Sequence, residues 1–473
     1  MAPATTLSYV STDEGDRGTT VLSSLVVALE LARPGPSVKH VLEGLDHVIV
    51  GRGDTSSSER DRSAPVPTLR MLLGDPWMSS RHFELVRDGA RWQLRDAGSK
   101  NGTLLNGERT PTATLADGDL IEAGGTCFLW RDREVAPGGL SQALSPTPGP
   151  GGLGSLSFAL AHELAGLGRI ARTDLSVLIG GETGTGKEVV ARAVHTASGR
   201  RGQFIAVNCA ALPATLIASE LFGVKKGAYS GATEDRPGLL RAAEGGTLLL
   251  DEIADLPETL QTVLLRVLQE REVTPVGDTR AIKVDVRVLA ASHADLRARV
   301  AEGKFRNDLL ARLAGFQLTL PPLRERREDL GRLVGELLAR VAPQGGIRLE
   351  RAAARALMSY HWPLNVRELE QTLRSATALA AGGEIQLSHL PEAVRAARPQ
   401  APPGDTSAGD GGDASKQPIT QERMTALWTE HAGNVSALAR ALETSRSQVR
   451  RLLKRFGLAQ GLAKDGSDSD GDE

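Results

Sequence analysis

The sequence has only two cysteines among its 473 residues, Cys127 and Cys209, and neither has a partner at metal-ligand spacing. We therefore interpret both as core thiols in a reducing compartment rather than as disulfide or metal-binding residues. No run of about 18 apolar residues occurs, and the first residues lack a basic region followed by an apolar stretch. We accordingly expect a cytoplasmic protein with no membrane partner.

Length and charge suggest several domains of different character. A chain of this size exceeds what one core usually supports, and 40% hydrophobic with 24% charged residues is typical of globular proteins. The net charge of −2 conceals a basic segment, because residues 419–460 carry seven Lys and Arg against three Asp and Glu. That excess of positive charge indicates nucleic acid as a partner of this segment.

Two stretches rich in Pro, Gly and Ser divide the chain, since such compositions cannot bury a core. The predicted organisation is a disordered start at 1–20, folded blocks at 21–131, 153–397 and 419–460, linkers at 132–152 and 398–418, and an acidic tail at 461–473.

The folded blocks differ in their hydrophobic patterns. In the first, short β-type runs alternate with turns, which predicts an all-β sandwich. In the second, apolar strand-like runs such as LSVLIGG and GTLLLDE alternate with helical patterns. That alternation predicts a three-layer α/β fold with a parallel sheet.

A glycine-rich turn in the second block has the spacing of a phosphate-binding loop. Gly181 is followed by four residues and then by Gly186 and Lys187, between an apolar strand and a helix. Backbone N–H groups of such a turn can surround a polyphosphate, and the lysine adds a positive charge. Glu188 stands where many such loops have the Ser or Thr that holds Mg²⁺, so the metal must rely on other groups.

A pair of acidic residues provides such groups. Asp251 and Glu252 end the apolar strand GTLLLDE, at the carboxyl edge where open α/β sheets bind ligands. Asp251 is suited to hold Mg²⁺ through water, and Glu252 to polarise the attacking water. An acidic pair ending a surface strand is common by itself, but beside a phosphate-binding loop it indicates ATP hydrolysis.

Nearly all of the second block resembles the sigma-54-dependent enhancer-binding activators of the AAA+ class. The resemblance implies a helical lid from about residue 325, the cofactors ATP and Mg²⁺, and a hexameric ring. That family also has Glu after the loop lysine. The motifs that carry the resemblance are, in order, GETGTGKE, FIAVNCAAL, ELFGVKKGAYSGA, GTLLLDEI, DVRVLAASHADL, FRNDLLARL, PPLRERREDL and HWPLNVREL.

The resemblance also implies roles for single residues. Asn208 would hold the catalytic glutamate off in one nucleotide state, and Ser292 with His293, where the family often has Asn, would lie at the sensor position. Arg306 and Arg312 would be arginine fingers that reach a neighbouring subunit's ATP, although a lone Arg on a helix is more often a surface cation. The implied ATP-binding residues are Gly181, Glu182, Thr183, Gly184, Thr185, Gly186, Lys187, Glu188 and, from the lid, Arg367.

Two segments depart from the family pattern. Leu364 replaces a usual Gly before the lid arginine, which restricts positive φ there and suggests a slightly different lid geometry. In the loop that would grip sigma-54, Tyr229 and Ser230 replace the usual Phe and Thr, after an unusual Val224-Lys225; a flexible surface turn is the alternative. The implied sigma-54 contact comprises Gly227, Ala228, Tyr229, Ser230, Gly231 and Ala232.

The first block resembles a forkhead-associated (FHA) domain through GRGD, MSSRHFEL, DAGSKNGTLLNGE and LADGDLIEAG. Such domains bind phosphothreonine peptides, and a phosphate needs a cation together with hydrogen-bond donors. Turn chemistry alone could also account for the Ser, Asn and Gly residues. His82 is interpreted as structural. The implied phosphothreonine-binding residues are Arg52, Ser79, Ser80, Arg81, Lys100 and Asn101.

The third block predicts three short helices, and its last two resemble the Fis-type helix-turn-helix that ends many sigma-54 activators. A polar face of the last helix is suited to base edges and phosphates of a major groove, although such a face is often only solvated. The candidate DNA-binding residues are Ser445, Arg446, Gln448, Arg450, Arg451 and Lys454.

Together these features predict an ATP-driven activator that binds enhancer DNA, remodels sigma-54 RNA polymerase and receives a signal from a phosphothreonine protein, a Ser/Thr kinase or its substrate. An alternative is a phosphopeptide-gated DNA-binding scaffold or repressor that does not productively engage sigma-54. The altered Tyr229-Ser230 pair favours the scaffold. The intact acidic pair and arginine fingers count against it.

Overall fold

The computed structural model describes residues 20–35, 37–136, 143–144, 152–211, 213–229, 232–398, 424–425 and 428–429. The chain divides into two compact units, Met1–Gly404 and Asp405–Glu473. In the second unit the four described residues are helical, and the six candidate DNA-binding residues lie outside the described part. No helix among the described residues is long and apolar enough to cross a bilayer.

The front of the chain forms the predicted β-sandwich. One sheet has seven strands in the order β13-β2-β1-β12-β11-β8-β9, and the other has six in the order β10-β7-β6-β3-β5-β4. The strands are β1 (Thr20–Glu30), β2 (Val38–Val41), β3 (His47–Arg52), β4 (Ser57–Asp61), β5 (Thr68–Leu73), β6 (Phe83–Asp88), β7 (Arg91–Asp96), β8 (Leu104–Leu105), β9 (Glu108–Arg109), β10 (Thr112–Thr114), β11 (Leu120–Ala123), β12 (Thr126–Ala136) and β13 (Ala143–Leu144).

Alternation of buried and more exposed residues along β3, β5, β6 and β7 places one apolar face of the six-stranded sheet inside the sandwich, whereas β11 and the first half of β12 are buried continuously. Phe83 and Phe128 meet edge to face in this core, with ring centroids 5.3 Å apart. The end of the domain differs from the expected boundary at residue 131. β12 continues to Ala136, and β13, inside the expected linker 132–152, pairs with β2.

The central domain has the predicted parallel sheet, with strand order β15-β16-β19-β14-β20. A two-stranded antiparallel β17-β18 pair lies beside it. The elements are α1 (Phe158–Ile170), β14 (Val177–Gly180), α2 (Lys187–Ser198), β15 (Phe204–Asn208), α3 (Ala214–Phe222), α4 (Leu239–Ala242), β16 (Thr247–Asp251), α5 (Glu258–Glu270), β17 (Glu272–Val273), β18 (Ile282–Lys283), β19 (Arg287–Ser292), α6 (Leu296–Ala301), α7 (Asn307–Leu313) and β20 (Phe316–Thr319).

Helices cover both faces of this sheet, which explains why its strands are continuous apolar runs. Along β16, Leu248 and Leu250 belong to one buried cluster and Leu249 to the cluster on the opposite face. The carboxyl ends of β14, β15, β16 and β19 therefore meet at one edge, where the candidate catalytic residues follow.

A helical lid follows the sheet. Its β21 and β22 form a short parallel pair between the helices. The lid elements are α8 (Leu330–Val341), β21 (Arg348–Leu349), α9 (Arg351–Ser359), α10 (Asn365–Leu379), β22 (Glu384–Ile385) and α11 (Glu392–Arg395).

The front sandwich packs directly against the lid. The outer face of its seven-stranded sheet contributes Leu29, Cys127 and Leu129 to a buried cluster that also contains Leu330 and Leu337 of α8. The sandwich therefore takes part in two cores, its own interior and a second one shared with the lid. The expected linker thus joins domains that are packed together in the same compact unit.

Candidate active site

The glycine-rich turn connects β14 to α2 as the sequence predicts. Gly181, Gly184 and Gly186 have φ angles of 138°, 79° and 105°, which side chains with a β-carbon rarely adopt. Gly186 precedes the first residue of α2 and supplies no side-chain cap. The first N–H groups of α2 and of the turn are thus available to an anion at the positive end of the helix dipole.

Lys187 fills the space between this turn and the acidic pair. Its side chain is only 7% exposed, and its Nζ donates to the carbonyl oxygen of Gly181 at 2.9 Å and lies 3.4 Å from that of Glu182. The same Nζ lies 3.7 Å from a carboxylate oxygen of Glu252. A buried ammonium is thus held where phosphate oxygens and a catalytic carboxylate would meet.

Glu188, in the first turn of α2, pairs within its own helix. Glu188 is exposed and pairs with Arg192 one turn later, at 2.6 Å. Asp251, at the end of β16, is half-buried, and its pKa is raised by burial and by the neighbouring charge of Glu252. A divalent cation would remove this electrostatic penalty, so Asp251 fits the role of a Mg²⁺ ligand.

Glu252 is positioned by its backbone and by a histidine. It adopts a left-handed conformation with φ 52°, which turns the chain sharply after β16. Its Oε2 lies 2.6 Å from Nδ1 of His293 and accepts the His293 backbone N–H at 3.2 Å. Burial opposes ionisation, but the hydrogen bonds from His293 and the charge of Lys187 more than compensate, so the pKa of Glu252 is lowered.

Asn208 and Ser292 lie at the same sheet edge but contact other groups. Asn208 ends β15 opposite Asp251, and its Oδ1 accepts a hydrogen bond from the N–H of Ala210 at 2.8 Å. Ser292 exchanges hydrogen bonds with the backbone of Ala294. In this structure the contact to Glu252 comes from His293, the residue that departs from the usual Asn.

Glu182 connects the phosphate-binding turn to the lid, a role that the sequence did not reveal. Its carboxylate accepts two hydrogen bonds from Arg324, at 2.7 and 2.9 Å, and one from Nδ2 of Asn365 at 3.1 Å. These bonds lower the pKa of Glu182 to about 2, the Arg324 hydrogen bonds contributing most. Asn365 also donates to the carbonyl oxygen of Thr183 and accepts from the N–H of Leu323.

The lid turn avoids the strain expected from Leu364. That residue has φ −102°, whereas the positive φ angles fall on Trp362 and Asn365. The absence of Gly at Leu364 therefore costs nothing in backbone conformation. Arg367 follows in the first turn of α10, where its N–H faces the Gly184 carbonyl oxygen at 3.3 Å and its side chain is exposed.

The two candidate arginine fingers lie on or next to α7. Their hydrogen bonds are to groups other than the phosphate-binding turn of their own chain. Arg306 pairs with Asp308 at 2.7 Å, and Nη2 of Arg312 donates to the carbonyl oxygen of Leu268 in α5 at 3.3 Å. Both are exposed, so their charges are available to another molecule.

The candidate sigma-54 loop is an exposed turn closed at its base. Val224 exchanges backbone hydrogen bonds with Arg236, and Lys225 pairs with Asp235 at 2.5 Å. The unusual Val224-Lys225 pair thus closes the loop.

Within this loop, Ala228 donates its backbone N–H to the carbonyl oxygen of Lys225 at 3.1 Å, and the N–H of Gly227 donates to the carbonyl oxygen of Ala232 at 2.8 Å. Tyr229 is 45% exposed. Ser230 and Gly231 lie outside the described residues.

The candidate phosphothreonine residues lie on loops at one end of the front sandwich. Arg52 ends β3 with an exposed side chain, and its N–H donates to the Ser79 carbonyl oxygen at 2.9 Å. The Ser79 hydroxyl accepts the N–H of Lys100 at 3.0 Å, and Nδ2 of Asn101 donates to the carbonyl oxygen of Trp77 at 2.8 Å. These loops are therefore held together by their own hydrogen bonds.

His82 connects two of these loops through its ring nitrogens. It is fully buried, its Nδ1 accepts the Ser79 N–H at 3.0 Å, and its Nε2 lies 3.3 Å from the Gly102 carbonyl oxygen. A neutral ring protonated on Nε2 satisfies both contacts, and burial lowers the pKa of His82. Arg81 is exposed and paired with Glu84. The carbonyl of Ser80, in turn, lies against Gly51.

These features define a P-loop ATPase of the AAA+ class with a β-sandwich in front. The sigma-54 interaction domain family matches residues 155–319, the AAA+ ATPase lid domain family 324–407, and the FHA domain family 48–124. The lid and FHA assignments agree with the helical bundle and the sandwich described above.

Known proteins are similar to part of the chain. The hydrogenase transcriptional regulatory protein HoxA of Cupriavidus necator is 44% identical over 62% of this chain and 62% of its own length. The DNA-binding transcriptional regulator NtrC of Salmonella typhimurium is 42% identical over 62% of this chain and 67% of its own. The crystal structure of NtrX from Brucella abortus with ADP is 30% identical, covers 64% of this chain and 70% of that one, and superposes with a TM-score of 0.47.

The chain belongs to the family of sigma-54 enhancer-binding transcriptional regulators. It spans less than two thirds of the length of HoxA, so the match leaves part of that protein uncovered.

We expect His293→Ala to move the acidic limb of the pH profile of ATP hydrolysis to higher pH. The pKa of Glu252 is lowered partly by His293, so its carboxylate form is lost only as pH falls through that lowered value. Without the ring, burial dominates and the carboxylate protonates at higher pH. His293→Asn, whose amide can donate instead, should move the limb less. Superimposable kcat profiles for wild type and His293→Ala would contradict the assignment.

Proposed function

We propose that this protein is a cytoplasmic transcriptional activator that hydrolyses ATP in a hexameric ring to remodel sigma-54 RNA polymerase. The observation that carries the proposal is the position of Lys187 between the glycine-rich turn and Glu252, with Glu252 in turn bonded to His293. This arrangement brings a phosphate-binding cation and a general base together at the edge of a parallel sheet.

Each group has a task in this reaction. The turn and Lys187 bind the phosphates of ATP, and Asp251 would hold Mg²⁺ through water, so that the metal would neutralise developing phosphate charge. Glu252 orients the attacking water through its carboxylate, whose pKa is lowered because the hydrogen bonds from His293 and the charge of Lys187 outweigh burial. Arg367 contacts the nucleotide from the lid.

Assembly into a ring would complete the site. Arg306 and Arg312 are exposed cations, and a phosphate on a neighbouring subunit would compete with Asp308 for Arg306. Stabilisation of transition-state charge by an arginine from another chain makes hydrolysis depend on assembly. Asn208 lies one strand from Asp251 and could capture Glu252 in one nucleotide state.

The front domain receives the signal in this proposal, and the C-terminal part of the chain binds DNA. Arg52, Ser79 and Asn101 lie on loops that would bind phosphothreonine of a Ser/Thr kinase or its substrate, with Ser80, Arg81 and Lys100 around them. The residues proposed to bind enhancer DNA belong to the Fis-type helix described above, from Ser445 to Lys454, outside the described part of the chain.

We expect Glu252→Gln to retain ATP binding and to lower kcat at least about 100-fold, because the amide cannot orient water as a base does. Lys187→Ala should lose nucleotide binding. Asp255→Asn, which neutralises an adjacent carboxylate outside the proposed site, is the matched control. Calorimetric binding and phosphate release distinguish the two steps. Wild-type turnover by Glu252→Gln would refute the role of the base.

We expect a phosphothreonine peptide from a cognate kinase substrate to bind the full-length chain, and its unphosphorylated twin not to bind. Loss of the Arg52 guanidinium removes the charge-assisted bonds to phosphate, so Arg52→Ala should weaken binding at least tenfold, on the order of 1.5–3 kcal/mol. Arg62→Ala, an exposed cation of the same domain, should bind as wild type does. Equal affinity for both peptides in calorimetry would show that the front domain does not recognise the phosphate.

We expect the wild-type protein with a transition-state nucleotide analogue to trap sigma-54, and Tyr229→Ala to lose trapping while hydrolysis persists. Tyr229→Phe should trap sigma-54 as well as or better than wild type, because the hydroxyl must otherwise find a partner on burial. Leu216→Ala, also an exposed apolar residue, should have no effect. Trapping by Tyr229→Phe but not by wild type would favour the scaffold alternative.

A further inference from the structure

The FHA domain and the lid approach each other more closely than side chains normally allow. Gly331 of α8 faces the backbone of β1, and a β-carbon at Gly331 would overlap the carbonyl oxygen of Ala28. One turn later, a β-carbon at Gly335 would overlap the backbone of Gly35. The helix and the sheet therefore pack backbone to backbone, which only Gly permits at these two positions.

Polar contacts surround this close approach. The carboxylate of Glu122 in β11 is buried and accepts two hydrogen bonds from Arg355 of α9, at 2.6 and 2.9 Å. Arg351 donates to the Gly124 carbonyl oxygen. Since a buried carboxylate without its partner is costly, these bonds specify one docked position.

A hinge segment, residues 323–329, connects the last strand of the ATPase sheet to α8 and contacts the phosphate-binding turn. Arg324 holds the carboxylate of Glu182, and Nη2 of Arg326 donates to the carbonyl oxygen of Thr185 at 2.9 Å. Arg326 is buried, so its guanidinium is confined to this position. The hinge segment therefore fixes the backbone of the turn that would hold nucleotide.

The same hinge segment contacts the FHA domain with its next two residues. Nη1 of Arg327 donates to the Gly118 carbonyl oxygen at 3.1 Å, and Glu328 pairs with Arg131 of β12 at 2.9 Å. Glu328 is 1% exposed, and burial raises its pKa while the charge of Arg131 opposes that rise. Arg324 and Arg326 of this short segment thus contact the nucleotide turn, and the next two residues contact the FHA domain.

We propose that docking of the FHA domain on the lid sets the nucleotide affinity of the ATPase through the hinge segment. The docked domain holds the hinge segment in place, and the hinge segment preorganises the turn for phosphate. Any ligand that favours the undocked state then weakens nucleotide binding, and nucleotide opposes undocking by the same factor. The inference rests on the proposed role of the turn in binding ATP.

Gly331→Ala in the full-length protein tests this directly, because it removes the close approach without weakening the helix. Inside a helix Ala is favoured over Gly, so the added methyl disrupts docking rather than α8. Gly166→Ala in α1 is the matched control, since a β-carbon there meets only the Phe316 ring at 3.7 Å. ADP affinity by calorimetry is the main measurement.

Cys127 provides an independent measurement of docking. It is 1% exposed and belongs to the cluster shared with the lid, so undocking uncovers it. Reaction with a thiol reagent, mapped by mass spectrometry, then reports the docked fraction. Cys209, buried in the core of the ATPase domain, should stay protected and shows that this domain remains folded.

We expect Gly331→Ala to expose Cys127 and to weaken ADP binding at least about fivefold, while Gly166→Ala changes neither. Exposure of Cys127 with unchanged ADP affinity would overturn the inference and leave the proposed ATPase function intact. Protection of Cys127 in Gly331→Ala would overturn it too, because docking would not need the close contact. If the wild-type chain binds no ADP, the proposed function itself fails, and the inference with it.

A second variant tests the route through the hinge segment. Arg131→Met combined with Glu328→Gln removes the ion pair without leaving a buried charge unpaired. We expect this double variant to weaken ADP binding while Cys127 stays covered by the remaining contacts. Arg355→Met combined with Glu122→Gln removes the other buried pair, which does not involve the hinge segment, and should leave ADP affinity within about twofold. Equal ADP affinities in the two double variants would contradict coupling of the FHA domain to the nucleotide turn through the hinge segment.

Discussion

The carboxylate of Glu182 is the group on which the architecture around the active site depends. It lies in the phosphate-binding turn, yet its hydrogen-bond partners, Arg324 and Asn365, belong to the segment that leads into the lid and to the lid itself. Asn365 also bonds Thr183 of the turn. Hydrogen bonds therefore connect the turn, the hinge segment and the lid, so a domain that packs on the lid is linked to the nucleotide site through these contacts.

The front domain is such a partner. A β-sandwich with its own interior core has no need of a second apolar face, yet Leu29, Cys127 and Leu129 project from its outer sheet into the core of the lid. Burial of apolar surface at about 25 cal/mol per Å² is the main source of stability for such an interface. Ion pairs and the two helical glycines then determine how the surfaces fit together.

Much of this molecule could be predicted from its sequence, because the informative patterns are local. The strand, glycine turn and helix around Lys187 are consecutive, as are the apolar strand and acidic pair at Asp251 and Glu252. The contacts of Glu182 could not be predicted, since Arg324 and Asn365 lie 142 and 183 residues away. Gly331 likewise gave no signal, because a Gly inside a helical pattern does not reveal what approaches it.

Residues that depart from the family motifs make defined contacts in the structure. His293 provides the hydrogen bond to Glu252 through a ring nitrogen, and the unusual Val224-Lys225 pair closes the candidate sigma-54 loop through Arg236 and Asp235. His293 and Lys225 make these contacts with their side chains, whereas Val224 bonds Arg236 through its backbone.

We propose that ATP hydrolysis by this chain opens promoters for sigma-54 RNA polymerase, and permanganate footprinting of a sigma-54 promoter tests that proposal. With purified polymerase, an upstream binding site for this protein and ATP, we expect single-stranded thymines around the start site. The same reaction with a non-hydrolysable analogue should leave the promoter closed. A closed promoter in the presence of ATP, with hydrolysis proceeding normally, would show that hydrolysis is not coupled to promoter opening.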